Sequence, residues 1–191
     1  MSVIERVKAT LSSYSDTDVR SILHADHQRI RELARELAET DSAARRRTLV
    51  RELKPFLTAH SRSEEQTVYT PLMQRRDSPD SRLAGNEGMV EHNLADIVIE
   101  RMFNTNDTAA DMWRAHAKVL NELLTKHIEE EESDVFEELG EHFTDEQRES
   151  MGAAFARGRD KLMQPGAGTR MPARDGKRQA PARRRGAAAG A

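Results

Sequence analysis

The chain has 191 residues, of which 37% are hydrophobic, 33% are charged and only 4% are aromatic. This composition favours one small helical domain over a β-sandwich, which needs more β-branched and aromatic residues. The absence of cysteine excludes disulfides, iron–sulfur clusters and thiolate metal sites, so any metal must be bound by nitrogen and oxygen ligands.

Apolar residues at helical spacing predict the first helices in chain order. A short helix is predicted over residues 2–14, and a first long helix over about 17–39. A second helical region covers about 43–74, in which Pro55 is expected to kink or divide the helix because proline lacks an N–H donor. A polar loop over residues 75–81 follows.

Two more long helices and a short one complete the pattern. The third is predicted over about 88–103, after a glycine-containing stretch that loosens its approach. The fourth runs over about 109–139, with a capping box beginning at Thr108 and Gly140 as its end. A second capping box at Thr144 begins a fifth helix to about 162. The predicted inner faces of the third and fourth helices include Val90, Leu94, Ile97, Val98, Met102, Met112 and Val119.

The charge is unevenly distributed along the chain. Residues 165–191 carry seven Arg or Lys and one Asp, a net of +6, which leaves −9 on residues 1–164. This C-terminal stretch is rich in Pro, Gly and Ala and has little to bury, so a disordered basic tail is predicted. A solubilising role is favoured for it, with nucleic acid as an alternative partner, because charge runs alone specify little.

These elements predict an all-α fold, an up-down-up-down four-helix bundle with a short extra C-terminal helix. The predicted domains are an N-terminal segment (1–16), the bundle (17–163) and the disordered basic tail (164–191). The start of the chain lacks the apolar region of a signal peptide, and no apolar run is long enough to span a membrane. A cytoplasmic location and no membrane partner are therefore expected, with the oligomeric state open.

Histidines and carboxylates recur at a spacing that suits metal binding. The sequence His-x-x-x-Glu-Glu occurs twice, beginning at His60 and at His127. Residues i and i+4 share a helix face, so an imidazole and a carboxylate can reach one metal centre. The other two long helices supply His27 and His92. Nitrogen and oxygen ligands of this kind suit iron, manganese or zinc. The candidate ligands are His27, His60, Glu64, His92, His127 and Glu131.

At these motifs the sequence resembles the hemerythrin-like domains, also called HHE cation-binding domains. The resemblance covers about residues 18–141. It rests on the two His-x-x-x-Glu-Glu motifs, followed by Tyr69 and Phe136, and on the pairs Asp26-His27 and Glu91-His92. It implies a four-helix bundle that holds two non-heme iron ions, bridged by oxo or hydroxo, with the six candidate residues as ligands.

The chain departs from the oxygen-carrying members of that family on its third helix. Those carriers have a second histidine four residues after the first, where this chain has Asp96, so Asp96 is a possible extra ligand. The carriers also place the carboxylate of the fourth helix five residues after histidine, which leaves Glu132 as an alternative to Glu131. His24 is an alternative metal ligand to His27, although a structural or surface role is favoured for His24. A more anionic ligand set stabilises ferric iron, which favours redox or peroxide chemistry over oxygen carriage.

Two functions follow as hypotheses. The first is a di-iron protein that reacts with oxygen or peroxide in oxidative stress, with O₂ or H₂O₂ as the small partner and catalase-like peroxide removal as the enzyme hypothesis. The second is an iron- or oxygen-responsive sensor that acts through a protein partner. Whether the chain is an enzyme is left open by the sequence.

Overall fold

The computed structural model describes residues 14–164, and within that range every regular element is helical. The predicted N-terminal helix and the predicted disordered tail lie almost entirely outside the described residues. The domain boundaries remain predictions. Seven α-helices and two π-helical segments follow in chain order: α1 (Val19–Glu39), α2 (Ala43–Glu64), π1 (Glu65–Tyr69), α3 (Thr70–Met73), α4 (Pro79–Asn104), α5 (Asp111–Glu130), π2 (Glu131–Val135), α6 (Phe136–His142) and α7 (Asp145–Met163).

Short polar side chains cap the N-termini of four of the described helices. The Asp18 carboxylate accepts a hydrogen bond from the backbone N–H of Arg20 at the start of α1. Ser42 and Ser78 play the same part for α2 and α4. The predicted capping box at Thr144 is confirmed at the start of α7. Each cap satisfies an N–H group that has no partner within the helix.

The start of α4 differs from the prediction. The helix begins at Pro79, nine residues before the predicted start, and Gly85 and Gly88 lie inside it. A Cβ atom at Gly88 would overlap the phenol ring of Tyr69, and one at Gly85 would approach the carbonyl oxygen of Tyr69 to 3.1 Å. The glycines therefore allow α4 to lie close to π1, and this gain outweighs their low helix propensity.

Two other local predictions were wrong, and of the two outcomes expected at Pro55, a kink or a division of the helix, the division does not occur. Pro55 does not divide α2, which continues from Ala43 to Glu64 and buries Leu53 and Leu57 on either side of the proline. Thr108 does not cap α5, because its hydroxyl donates to the carbonyl of Ala43 and the helix begins after Ala110 without a side-chain cap. Gly140 does not end a helix, since α6 continues to His142.

The long helices pack as a ring around a common interior. Helix α1 contacts α2 and α5, and α4 contacts the same two helices from the other side. Helix α7 lies against α1 and α2. None of the described helices is both long and apolar enough to cross a membrane.

The apolar interior is divided into two clusters. One contains Ile30, Leu57 and Ile128 together with Trp113, and the other contains Leu23, Val68, Val135 and Phe155. On α1, His27 falls between Leu23 of one cluster and Ile30 of the other. The same alternation recurs around His60 and Glu131, so the predicted ligands form a polar layer between two apolar ones.

The predicted inner face of α4 was partly wrong. Val90, Leu94 and Ile97 are 48–58% exposed, while the buried face of this helix carries His92, Ala95, Ile99 and Met102. On α5, Met112 and Val119 are also exposed, by 69% and 52%. Helical spacing identified residues that share a face, but that face of α4 points away from the interior.

Candidate metal centre

All six predicted ligands lie in the polar layer inside the ring of helices. They come from four helices and from π2, and each is at most 4% exposed. Their donor atoms form two groups in which all atoms lie within 4.8 Å of one another. The first group is His27, His60, Glu64 and Glu131, and the second is Glu64, His92 and His127.

The two carboxylates each lie between histidines of two different helices. Glu64 Oε2 lies 3.2 Å from His60 Nε2 and 3.5 Å from His92 Nε2. Glu131 Oε2 lies 3.2 Å from His27 Nε2 and 3.5 Å from His127 Nε2. The imidazoles of His27 and His60, at 5.1 Å, and those of His92 and His127, at 4.9 Å, connect these two links, so four imidazoles and two carboxylates form a closed ring.

The inward atoms of this ring lack hydrogen-bond partners. Both oxygens of Glu64, Oε2 of Glu131 and Nε2 of His27, His92 and His127 are buried without one. Leaving a buried polar atom unpaired costs about 1–3 kcal/mol, and here several converge on one point. The donor set consists of neutral nitrogen and anionic oxygen at mutual distances that suit bound cations. The residues present therefore fit a metal centre.

A second layer of carboxylates fixes the orientation of the imidazoles. Nδ1 of His127 lies 2.7 Å from Glu91, Nδ1 of His27 lies 3.0 Å from Glu132, and Nδ1 of His60 lies 3.3 Å from Asp26. Nδ1 of His92 lies 3.4 Å from Glu65 without a hydrogen bond, so this carboxylate acts on His92 through its charge. An ionised carboxylate only accepts, so Nδ1 must carry the proton and Nε2 of the neutral ring faces the centre with its lone pair.

The second layer follows a rule that repeats in the two halves of the chain. In each His-x-x-x-Glu-Glu motif, the first Glu enters the centre and the second supports a histidine on another helix. The acidic residue before His27 supports His60, and the one before His92 supports His127. The helix pairs α1–α2 and α4–α5 are thus related by an internal two-fold pattern.

A π-helical segment begins at the Glu-Glu pair of each motif, between the two glutamates in the first motif and at the first glutamate in the second. Segment π1 begins at Glu65 and π2 begins at Glu131, directly at the Glu-Glu pair in both cases. A π turn widens the helix locally and is frequent at functional sites. The paired glutamates can then point in different directions, one into the centre and one towards a neighbouring helix.

Cations neutralise the outer carboxylates. Arg159 of α7 donates to Asp26 at 2.5 Å, and Arg31 donates to Glu132 at 3.1 and 3.2 Å. Lys126 lies 3.5 Å from Glu91, and Arg62 pairs with Glu65 and with Asp96. Each supporting carboxylate therefore has a cation on its outer side and an imidazole on its inner side.

These charges control the protonation of the metal-free centre. Burial lowers the pKa of His60, but the charge of Glu64 and the hydrogen bond to Asp26 outweigh it and raise the pKa to about 10. Burial likewise lowers the pKa of His92, while the neighbouring carboxylates of Glu64 and Glu65 raise it to about 9. Protons on the imidazoles thus occupy the place of cations when no metal is bound.

The supporting carboxylate of His27 is strongly acidic. Burial raises the pKa of Glu132, but the hydrogen bond from His27 and the charges of His27 and Arg31 lower it to about 2. His24 adds a contact of 2.9 Å from Nδ1 to the same carboxylate. Glu132 is therefore an anion that holds His24, His27 and Arg31, and the structure places Glu131, not Glu132, in the ring.

Aromatic side chains close the centre. The hydroxyl of Tyr69 donates to Glu131 Oε1, and burial together with the charge of Glu131 raises the pKa of this phenol well above its usual value. The Phe136 ring stacks near His27 at 6.3 Å, and the Phe155 ring of α7 meets the edge of His60 at 5.5 Å. These rings keep water away from the imidazoles, which strengthens every charge interaction inside.

The other candidates lie outside the ring. Asp96 pairs with Arg62 and belongs to neither ligand group. The contacts of Arg159 with Asp26 and of Phe155 with His60 were not predicted, because nothing in the sequence of α7 indicates which helices it covers. The supporting role of Asp26 and Glu91 had a local signal, since both were noted as neighbours of a histidine, but their targets are histidines on other helices.

Comparisons with known proteins bear on the same residues. The family described as "Hemerythrin HHE cation binding domain" matches residues 18–139. A protein of Nostoc sp. (strain PCC 7120 / SAG 25.82 / UTEX 2576), called a DNA nickase, is 20% identical over 153 residues. That match covers 80% of this chain and 42% of the relative, so the chain spans less than half of the relative's length. No solved structure matches the chain.

Proposed function

Because this chain belongs to the hemerythrin HHE cation-binding domain family, we propose that it is a non-heme di-iron protein that reacts with oxygen or peroxide. The observation that carries the proposal is the sharing of Glu64 by the two ligand groups, with Glu131 placed between His27 and His127. Two carboxylates between two pairs of imidazoles suit two neighbouring cations. His27 with His60 would hold one ion, and His92 with His127 the other.

The fold expected for this function is an up-down-up-down bundle. Contacts at one end support it, because Arg46 at the start of α2 donates to the carbonyls of Thr40 and Thr108, which lie at the end of α1 and before α5. At the same end, Trp113 of α5 donates to the carbonyl of Met102 near the end of α4. Neighbouring helices of the ring then run in opposite directions.

Iron would supply the one-electron redox change that oxygen and peroxide chemistry requires. The residues of this chain have separate tasks around it. Glu64 and Glu131 provide anionic oxygens, and the supporting carboxylates hold each imidazole in one tautomer. The Tyr69 hydroxyl keeps its proton and holds Glu131 in place. The two phenylalanine rings exclude water from the His27 and His60 side.

Metal analysis tests this proposal directly. Protein from iron-replete cells is expected to contain about two irons per chain and to show near-ultraviolet charge-transfer absorption of ferric iron that responds to peroxide. His60→Ala and His127→Ala should each remove most of that absorption, while His116→Ala, a histidine outside both ligand groups, should not. Less than one transition metal per folded chain would refute the proposal.

A second candidate is metal-dependent cleavage of nucleic acid. It is favoured by the seven Arg or Lys in residues 165–191 and by the name of the Nostoc relative. Positive charge of this kind binds phosphate backbones without sequence preference. Nicking of supercoiled plasmid by the full chain with Fe²⁺ or Mn²⁺, lost in His60→Ala, would support it. Nicking that survives His60→Ala would be attributed to a contaminant.

A further inference from the structure

The outward face of α4 carries an exposed stripe of six residues. Its apolar members Leu83, Val90, Leu94 and Ile97 are 57%, 58%, 48% and 52% exposed. The buried residues His92, Ala95 and Ile99 occupy the inward face of the same helix. The α4 seam is defined as Leu83, Glu87, Val90, Leu94, Ile97 and Arg101, all of which are exposed.

The spacing along the α4 seam is that of a helix–helix contact. Successive members are separated by 4, 3, 4, 3 and 4 residues. Alternation of three and four keeps a row of side chains facing one partner helix, as in the packing of paired helices. Single exposed apolar residues are ordinary, but a continuous row indicates an interaction surface.

The two charged members decide the orientation of a partner. Glu87 and Arg101 lie at equal distances on either side of Leu94, about 21 Å apart along the helix. Within residues 14–164 neither side chain forms an ion pair. A second copy of α4 packed antiparallel about Leu94 would place Glu87 opposite the partner's Arg101, and Arg101 opposite the partner's Glu87. A parallel pairing would instead oppose like charges.

We propose that the α4 seam is the interface of a two-fold symmetric homodimer. Under the antiparallel pairing, Leu94 meets Leu94 of the partner subunit at the axis, and Val90 meets the partner's Ile97 on each side of it. One self-complementary patch serves both subunits, which is the requirement of a closed two-fold interface. Residues 165–191 are a poor candidate to cover the α4 seam, because Glu87 is the one acidic residue of the seam and the tail carries seven positive charges.

The test measures the mass of the full chain in solution at several concentrations, by light scattering and sedimentation. The wild-type chain is expected to be a dimer. Leu94→Glu should be a monomer, because it places two carboxylates at the axis of an apolar contact. The matched control is Met112→Glu, an equally apolar position on α5 that is 69% exposed and lies outside the seam, and it should remain a dimer.

Charge reversal tests the orientation separately. Glu87→Arg alone and Arg101→Glu alone should each weaken dimerisation by about tenfold or more at low salt, since each opposes like charges twice. The double variant should restore dimerisation to near the wild-type value. No effect of the single variants, or no restoration in the double variant, would overturn the antiparallel pairing.

Two outcomes would overturn the dimer itself. One is a wild-type chain that stays monomeric at all concentrations while the Leu94→Glu variant melts at the same temperature. The other is a monomeric wild-type chain that Leu94→Glu destabilises, which would show that the seam is covered by a segment of the same chain. The apolar residues Val3, Ile4 and Val7 would then mark the N-terminal segment as its occupant.

Discussion

Replacement of Asp26 by Asn isolates the role of a supporting carboxylate. Asp26 is 5% exposed and holds His60 with one oxygen and Arg159 with the other, at 3.3 and 2.5 Å. Asparagine has the same shape but one oxygen and one NH₂ group. Whichever way the amide faces, its NH₂ must point at a donor, either Nδ1–H of His60 or the guanidinium of Arg159, so one of the two contacts is lost.

The expected cost is set by what the carboxylate does for the imidazole. Loss of such a partner typically weakens metal affinity by about 10–100-fold, which corresponds to roughly 1.4–2.7 kcal/mol. Competition of the Asp26→Asn variant with a chromophoric chelator for Co²⁺ or Zn²⁺ measures this directly. In the zinc form, the proton signal of His60 Nδ1–H should also move upfield, because its hydrogen bond to a charged acceptor is lost.

The control for this experiment contacts the same arginine. Asp160 lies 3.2 Å from Arg159, and its side chain is 67% exposed. Asp160→Asn should leave metal affinity unchanged, because surface ion pairs contribute little. A metal affinity of Asp26→Asn within twofold of wild type, or an equal loss in Asp160→Asn, would refute the reasoning that the Asp26 carboxylate supports the centre.

Three other predictions concern protonation, packing and acid stability. With the metal-free pKa of His60 at about 10 and that of His92 at about 9, both rings are protonated at pH 7 and must release protons to bind metal. Metal affinity should therefore rise from pH 7 to 9. Metal binding at pH 7 should release about two protons per chain, as measured with an indicator dye in weak buffer. A metal affinity that does not depend on pH would contradict this. Gly88→Ala should lower the free energy of unfolding of the metal-free protein by about 1–3 kcal/mol, because its methyl group overlaps the buried Tyr69 ring. An increase in the free energy of unfolding measured by urea denaturation, as helix propensity alone predicts, would refute the close packing. Burial raises the pKa of Asp18, but hydrogen bonds and charges of nearby arginines outweigh it, and the pKa is lowered. Its contribution to stability is present above its unfolded pKa of about 3.9 and is lost as pH falls through the lower folded value. Asp18→Asn should therefore destabilise the chain by about 1.5 kcal/mol at pH 7 and flatten the acid limb of its stability profile, and an unchanged acid limb would count against the assignment.

The positions of the long helices could be predicted from the sequence because helical periodicity is local. Helix α1 was expected over 17–39 and is observed as Val19–Glu39. Helix boundaries were less predictable where tertiary contacts decide them. Gly85 and Gly88 resemble loop residues in the sequence, yet they lie inside α4. The Tyr69 ring takes the space of a side chain at Gly88, and the Met73 side chain and the Tyr69 carbonyl take it at Gly85.

The candidate ligands were also a local signal. An imidazole and a carboxylate at i and i+4 share a helix face whatever the rest of the chain does, and this chain has the pair twice, at His60 and at His127. The residues that contact these ligands could not be predicted in this way, because they come from other helices. Glu132 was an alternative to Glu131 by comparison with oxygen carriers, but it contacts His27 and Arg31 on α1. Asp96 was a candidate by comparison with oxygen carriers, and it pairs with Arg62.

Composition and periodicity were enough to predict that the chain is helical, that it lacks thiolate ligands and that four long helices carry histidines, two of them four residues before a glutamate. These properties follow from composition and from the 3.6-residue period, which involve only neighbours along the chain. The tertiary structure alone decided which carboxylate supports which imidazole, that Arg159 of α7 reaches Asp26, and that Val90, Leu94 and Ile97 face outward. Periodicity fixes which residues share a helix face, but the direction of that face depends on helices far away in the sequence.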